Sequence, residues 1–406
     1  MKRGSALSVL FLTIFIDLLG FGVIIPILPS YSKEIGASNF MVGVIAASFS
    51  LMQFLFTPIW GSLSDRYGRR PVILGTTIVS TVAYLIFSHA TVLPILILSR
   101  CLSGLGSGNI SAAQAYITDI TPPEKRAQSM GLIGAAFGLG MIFGPPAGGL
   151  IKSHLGVEYI GYITAGLCLL NFVLAYILLP ESLKEKNKRK IDIHLILPVK
   201  EYVQVFYQKG KREIFLINGI YVTAFFMFQI TAALIWKEVY HFSEDKIGYI
   251  FAFIGVCTTI MQGGLIGFFT RRFGEQRLLF MGTVLLMICL ASMPFVTAKW
   301  FVPFELILLM FLAIANGMVG PSCLSLLSQM SARHEQGRTL GLYQSFSSIA
   351  RIIGPMLGTA MYAFDVKLPY LAGAAILLVN VYLAVVVQRH FKRLSAVEVA
   401  GSEEGG

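Results

Sequence analysis

Acidic residues are scarce in this chain: 21 Asp and Glu stand among 406 residues, against 32 Lys and Arg, and charged residues of both signs reach only 13%. An average soluble domain carries about 25%. Cysteine is equally sparse. The five present, Cys101, Cys168, Cys257, Cys289 and Cys323, fall inside apolar runs with no paired spacing, which argues against a disulfide framework or a thiolate metal site. There is no Walker loop, no cluster of metal-ligating residues, no nucleophile with a recognisable base, and no polar stretch long enough for a soluble catalytic domain. We therefore expect no enzyme, no cofactor and no metal.

What fills the space is apolar. Hydrophobic residues make up 55% of the chain and the mean hydropathy is +0.73. Runs long enough to cross a hydrocarbon core of about 30 Å as helix recur twelve times, near residues 6–29, 40–62, 71–90, 93–118, 128–152, 158–179, 214–236, 246–269, 278–297, 301–327, 339–363 and 369–388. The first run is too long for a secretory signal, contains Asp17, Pro26 and Pro29, and has no small-residue cleavage site after it, so we read it as a retained span.

Sorting Lys and Arg over alternate loops gives 24 on one side and six on the other. Positive charge stays on the cytoplasmic side of a membrane, so both termini and the 181–212 linker are expected there, in a multi-pass protein of the inner (plasma) membrane. This sorting also accounts for the net charge of +11 without any nucleic-acid partner. Within the linker, "IHLILPVKEYVQVFY" could lie on the bilayer surface as a short amphipathic helix.

The linker separates six spans from six: residues 1–180, then 213–393, with a flexible tail from 394 to 406. The halves repeat. "GSLSDRYGRRPVIL" from Gly61 is matched 206 residues later by "GFFTRRFGEQRLLF" from Gly267, and Gly144-Pro145-x-x-Gly148 is matched 210 residues later by Gly354-Pro355-x-x-Gly358. Two homologous six-helix bundles are an arrangement of secondary transporters, whose sites lie at the repeat interface.

Four stretches carry a resemblance that covers essentially the whole chain: "DLLGFGVIIPILP" in the first span, "GSLSDRYGRRPVIL" between the second and third, "LSRCLSGLGSGNISAAQAYITD" in the fourth and "GLGMIFGPPAGG" in the fifth. The sequence resembles the major facilitator superfamily, and within it the drug:proton antiporters that include tetracycline exporters. The resemblance implies an all-α membrane protein of twelve transmembrane helices in two pseudo-symmetric six-helix bundles. It also implies a monomer that works by alternating access as a secondary active transporter, exchanging protons for small organic or amphiphilic molecules such as drugs. The alternative is an uncoupled or importing facilitator of a metabolite, sugar or lipid-like substrate.

By the same resemblance Asp65, Arg69 and Asp119 form a cytoplasmic gate, with Arg66 and Arg70 beside it. In the second half Arg271, Glu275 and Gln276 stand where Asp65, Arg69 and Arg70 stand in the first, so the gate is expected to be asymmetric. Gly140, Gly144, Pro145, Gly148 and Gly149 form the antiporter motif. Small residues spaced by four let helix backbones approach closely in lipid, and the resemblance implies packing of this ridge on the eighth span, at Gly263, Gly264 and Gly267. Tetracycline exporters carry acids within the third and ninth spans; this chain has none there, so the resemblance does not extend to tetracycline as cargo.

Charge inside a bilayer is costly and marks function by default. Three charged residues lie well within spans: Asp17, Arg100 and Arg351. Asp17 is the expected proton carrier, with Arg100 its partner in coupling. Loss of water favours the neutral acid and a nearby guanidinium favours the carboxylate, so alternating proximity to Arg100 or Arg351 can drive uptake and release of a proton. A permanent ion pair with either arginine is the competing reading. Arg351 has no family motif and breaks the internal repeat, standing where Met141 stands in the first half. It either binds an anionic group of the substrate or neutralises Asp17. Asn109, Gln114, Phe225, Gln229 and Asn316 are candidate cavity residues for a semi-polar organic molecule.

Overall fold

The computed structural model describes residues 3–121, 126–183, 199–331 and 336–403. Among them are twelve long helices and no strand: α1 Arg3–Ile24, α2 Asn39–Tyr67, α3 Arg69–Ser88, α4 Leu93–Ile120, α5 Arg126–His154, α6 Val157–Leu178, α7 Lys211–Glu238, α8 Glu244–Phe273, α9 Glu275–Ser292, α10 Leu306–Gln329, α11 Gln336–Tyr362 and α12 Leu368–Glu403. Ten are long and apolar enough to cross a membrane; the other two, α5 and α11, are the helices that carry the Gly-Pro repeats. Large apolar side chains such as Leu169, Leu170 and Ile177 on α6 and Leu378, Val379 and Tyr382 on α12 remain exposed, as faces turned to lipid rather than water would be.

Local sequence explains where these helices bend and stop. The first span was expected to run to residue 29, but α1 ends at Ile24 and a separate short helix follows at Leu28–Glu34. Pro26 cannot donate to a helix ladder and disfavours helical backbone in the residue before it. In α4 the run Gly104, Gly106, Gly108 ends in a tight 3₁₀ turn at Ser107–Asn109, since glycine is a poor helix former. The backbone of α12 stays helical to Glu403, beyond residue 394 where a tail was expected.

Contacts group the chain into two compact units that do not follow the expected cut into halves. The first holds Met1–Leu197 together with Gln229–Val256 and Pro355–Ala363; the second holds Pro198–Phe228, Cys257–Gly354 and Phe364–Gly406. The reason is close backbone packing of the ends of α7, α8 and α11 within the first unit.

In the first unit α1 packs on α5 and α6, α2 on α4, and α3 on α4 and α6. Two apolar clusters form there. One gathers Val9, Leu10, Ile14, Ile73, Tyr116 and Ile117; the other gathers Val23, Ile24, Ile27, Ile45, Phe87 and Leu96. A polar layer lies between them along α1, beginning where the Thr13 hydroxyl sits 3.1 Å from Asn171 Oδ1.

In the second unit α9 packs on α10 and α12. Linker residues 184–198 lie outside the described residues. The following segment, Val199–Tyr207, is helical and packs one face on α11, while Val203 and Tyr207 stay exposed. The Tyr202 and Phe206 rings sit 6.1 and 5.9 Å from that of Phe346, and Tyr202 donates to the Leu342 carbonyl.

Candidate functional site

The glycine ridge of α5 has two edges, and they do different things. A Cβ on Gly144 would lie 2.8 Å from Gly22 Cα, one on Gly140 would lie 2.9 Å from the Leu18 carbonyl carbon, and one on Gly148 would collide with the Val23 carbonyl. These glycines therefore seat α1, the helix that carries Asp17. The adjacent edge meets α8, where a Cβ on Gly255 would approach the Met141 carbonyl at 2.8 Å, one on Gly248 the Pro145 carbonyl at 2.6 Å, and one on Gly149 the Glu244 carbonyl at 2.5 Å. The expected partners Gly263, Gly264 and Gly267 have no atom within 4 Å of a built Cβ. That expectation is corrected: the 140-144-148 ridge is occupied by α1, and the α8 seam is formed by glycines nearer its other end.

Asp17 is 8% exposed and accepts a 2.8 Å hydrogen bond from Asn109 Nδ2. The 3₁₀ turn of α4 presents that amide, and three glycines let α4 come close enough. A Cβ on Gly104 would collide with the Phe49 carbonyl, one on Gly106 would meet Ser80, and one on Gly108 would touch the Trp60 ring at 2.8 Å. Arg100 is 2% exposed, with its guanidinium 4.7 Å above the Phe49 ring and its Nε and Nη1 without hydrogen-bond partners. Asp17 and Arg100 make no ion pair, so a permanent bridge between these two is ruled out in this arrangement. Tyr84, fully buried between α1 and α6 against Gly20 and within electrostatic reach of both Asp17 and Arg100, was missed by sequence reading. Nothing but its contacts marks it out among sixteen tyrosines.

The other candidates are divided between the two units. Gln229 is buried in the first unit, and Gln114 is exposed on α4. In the second unit Tyr221 donates to Asn316, and Phe225 stacks near Tyr221, Phe226 and Phe228. Arg351 donates to Ser348 on its own helix at 2.7 Å, its buried Nε has no partner, and among the described residues it makes no ion pair.

The loop cluster does assemble. Arg69 pairs with Asp65 at 2.5 Å and with Asp119 at 3.1 Å, and donates to Ser64 at 2.6 Å. Arg66 stays outside, over the Tyr67 ring at 5.4 Å, while Arg70 clamps α3 to α6 through the Tyr176 carbonyl at 2.6 Å. Glu181, just past α6, was not anticipated. Its carboxylate accepts from the backbone N–H of Arg69 at 2.9 Å and of Arg70 at 3.2 Å, satisfying the open donors of a helix start. In the second unit Glu275 accepts instead from Ser325 and Gln329, and no ion pair forms there among the described residues, matching the expected asymmetry of composition.

At the opposite ends of the first unit's helices lies a second charged cluster, which the sequence analysis did not anticipate. Lys152 at the end of α5 reaches Glu34 at 2.7 Å, Glu244 at 3.0 Å and Ser30 at 3.2 Å. Lys237 also pairs with Glu244 at 3.0 Å, and Lys33 with Glu238 at 2.8 Å, which in turn accepts from Tyr362. Burial and the charge of Glu34 hold the Tyr31 phenol above its ordinary range, keeping it a neutral donor to the Ala90 carbonyl. No residue spacing announces this cluster, because its members come from five separate segments.

These features meet a known pattern. The Major Facilitator Superfamily model matches residues 10–304 and 214–401. The chain belongs to the Major Facilitator Superfamily. It is 32% identical to the class C tetracycline resistance protein of Escherichia coli, over 93% of this chain and 96% of the relative. It is 28% identical to multidrug resistance protein 2 of Bacillus subtilis (strain 168), over 95% of this chain and 96% of the relative. Among solved structures it superposes on the human organic anion transporter MFSD10 (TETRAN) with a TM-score of 0.70 at 22% identity, covering 95% of this chain and 100% of the other. This superfamily member is a multi-pass membrane transporter and not an enzyme.

Proposed function

We propose that this transporter exports small organic or amphiphilic molecules, drugs among them, in exchange for protons, from an inner (plasma) membrane in which both its termini face the cytoplasm. The family, and relatives named for tetracycline and multidrug resistance, support export. The observation that carries proton coupling is Asp17, the one carboxylate placed deep within a span. It is buried, held by a neutral amide and, among the described residues, bonded to no cation. A group so placed can take up a proton without dismantling an ion pair, whereas a salt-bridged acid could not. Arg100, equally buried and unpaired, supplies the charge that favours release when the two approach. The protein acts as a monomer. The Asp65–Arg69–Asp119 cluster serves as the cytoplasmic gate, and the Lys152 cluster holds the other end.

Proteoliposomes with an imposed pH gradient test this. Candidate drugs should move protons outward against their own movement in the wild type, and Asp17→Asn should abolish that exchange while leaving the protein folded. Intact coupling in Asp17→Asn would falsify the assignment, and flux indifferent to the gradient would favour an uncoupled facilitator.

A further inference from the structure

Arg351 takes no part in the export reading above, and the sequence leaves two roles open for it, a partner for a substrate anion or for Asp17. It is the sixteenth residue of the 27-residue helix α11, roughly 22 Å of rise from the helix start, and so well inside the span. The scaffold does not need an arginine at this position. The packing role of its segment belongs to Gly354, where a Cβ would lie 2.8 Å from the Thr223 carbonyl, just as Gly144 in the matching segment packs on α1. At the repeat position equivalent to Arg351 the first half carries Met141, an uncharged side chain whose backbone carbonyl meets α8.

Nor does its own unit supply a counter-ion. Among the described residues of the second unit, Glu201 lies in the first turn of the Val199–Tyr207 helix, Glu213 is the third residue of α7 and is tied to Arg212 at 2.7 Å, Glu275 opens α9, Glu305 adjoins the start of α10, Asp365 lies between α11 and α12, and Glu398 and Glu403 stand in the last two turns of α12. All are at helix ends. The hydrogen-bond partner of Arg351 is neutral: Ser348, one turn earlier on α11, takes a guanidinium hydrogen bond, while Asn218 of α7 donates to Ser347 beside it and Tyr221 of α7 donates to Asn316 of α10. Across all twelve spans the deep charges are two guanidiniums and one carboxylate, and the carboxylate becomes neutral whenever it carries its proton. Arg351 is half-buried with its Nε shut away from any partner, and a guanidinium so placed inside a span is costly unless an anion meets it during function.

We propose that Arg351 receives the anionic group of the transported molecule, so that the preferred cargo is an amphiphilic organic anion or zwitterion bearing a carboxylate. This rests on reading the chain as an exporter and adds the chemical class of what is exported. A guanidinium offers a planar pair of donors that fits a carboxylate, and only one of its nitrogens is committed, to Ser348. An inorganic anion such as chloride shares the charge but not the cargo role, and the test separates the two.

The probes are a fluorescent xanthene dye with a free carboxylate and its methyl ester, followed into everted membrane vesicles by flux and, for the purified full chain in nanodiscs, by anisotropy. The wild type should favour the free acid. Arg351→Met, which installs the residue of the repeat position, should raise KM for the acid about tenfold or more, the loss expected when one charge-assisted pair is removed, while leaving the ester within about twofold of wild type. Arg351→Lys should restore part of the difference. Equal losses for acid and ester, or no preference in the wild type, would overturn the assignment. So would a wild type that binds chloride in an Arg351-dependent way while moving no acid dye, which would make the counter-anion inorganic. If the preference appears in binding but no dye is moved by a pH gradient, the export reading fails and the anion site stands. If the ester is exported against protons and the preference is absent, the reverse holds.

Discussion

One of the side chains that hold the Asp65 loop lies outside it. Glu181 caps the first two N–H groups of α3, and Gly68, which precedes them, has a φ of +118°. A Cβ added there would be strained by its backbone conformation and would collide with the Glu181 carboxylate. Gly68→Ala should therefore cost about 1–2 kcal/mol from backbone strain alone, lowering the melting temperature in detergent. It should also reduce transport by displacing Arg69. Glu181→Gln keeps the shape and loses the charge, so its loss should be smaller. If Gly68→Ala melts and transports like the wild type, the capping account is wrong. Arg69 itself is 9% exposed at its side chain and holds two carboxylates; lysine at that position cannot reproduce its forked donors.

Among helices, the informative contrast is between the two edges of α5. One edge fixes α1 and with it Asp17; the other touches α8 through Gly248 and Gly255. Overpacking of a tight seam costs about 1–3 kcal/mol, but the consequences should differ. Gly144→Val pushes α1 away and should abolish proton exchange together with folding yield. Gly248→Val forces α8 from the Pro145 carbonyl and should leave the α1–α5 pair intact. A reporter is available in Thr359, fully buried where a Cβ on Gly43 of α2 would strike its hydroxyl. A cysteine there should react faster with a membrane-impermeant maleimide in the Gly248→Val background than in wild type, and no faster in Gly144→Val. Equal rates in all three would show that the two edges are not separable.

For the molecule as a whole, the Lys152 cluster is the counterweight to the Asp65 loop. Its links are unequal. Lys152 and Glu244 are 11% and 7% exposed at their side chains, and removing one partner of so buried a pair costs about 3–5 kcal/mol. Lys33 and Glu238 are 29% and 35% exposed and contribute less than about 1 kcal/mol. Lys152→Met should accordingly open this end, raising maleimide reaction at a Thr359→Cys reporter several-fold and slowing net export. Lys33→Met should do little. The exchanged pair Lys152→Glu with Glu244→Lys should recover part of the wild-type rate; recovery in neither reporter nor transport would remove the cluster from the transport cycle.

The chain alone determined its class, because bilayer thickness and the cost of buried charge act on composition and run length without reference to neighbours. The twelve spans and the rarity of deep charge at Asp17, Arg100 and Arg351 follow from that, the internal repeat is legible in the matching motifs, and the grouping of Asp65, Arg69 and Asp119 was implied by the family resemblance. Tertiary structure decided which surface each helix spends on which partner. Glycines spaced by four announce close approach but not its recipient, so α1 rather than the far end of α8 took the α5 ridge. Spacing likewise gave no sign of the absent Asp17–Arg100 bridge, of Glu181 as a cap, or of the five segments that meet at Lys152, since side chains far apart in sequence become neighbours only after the backbones have packed.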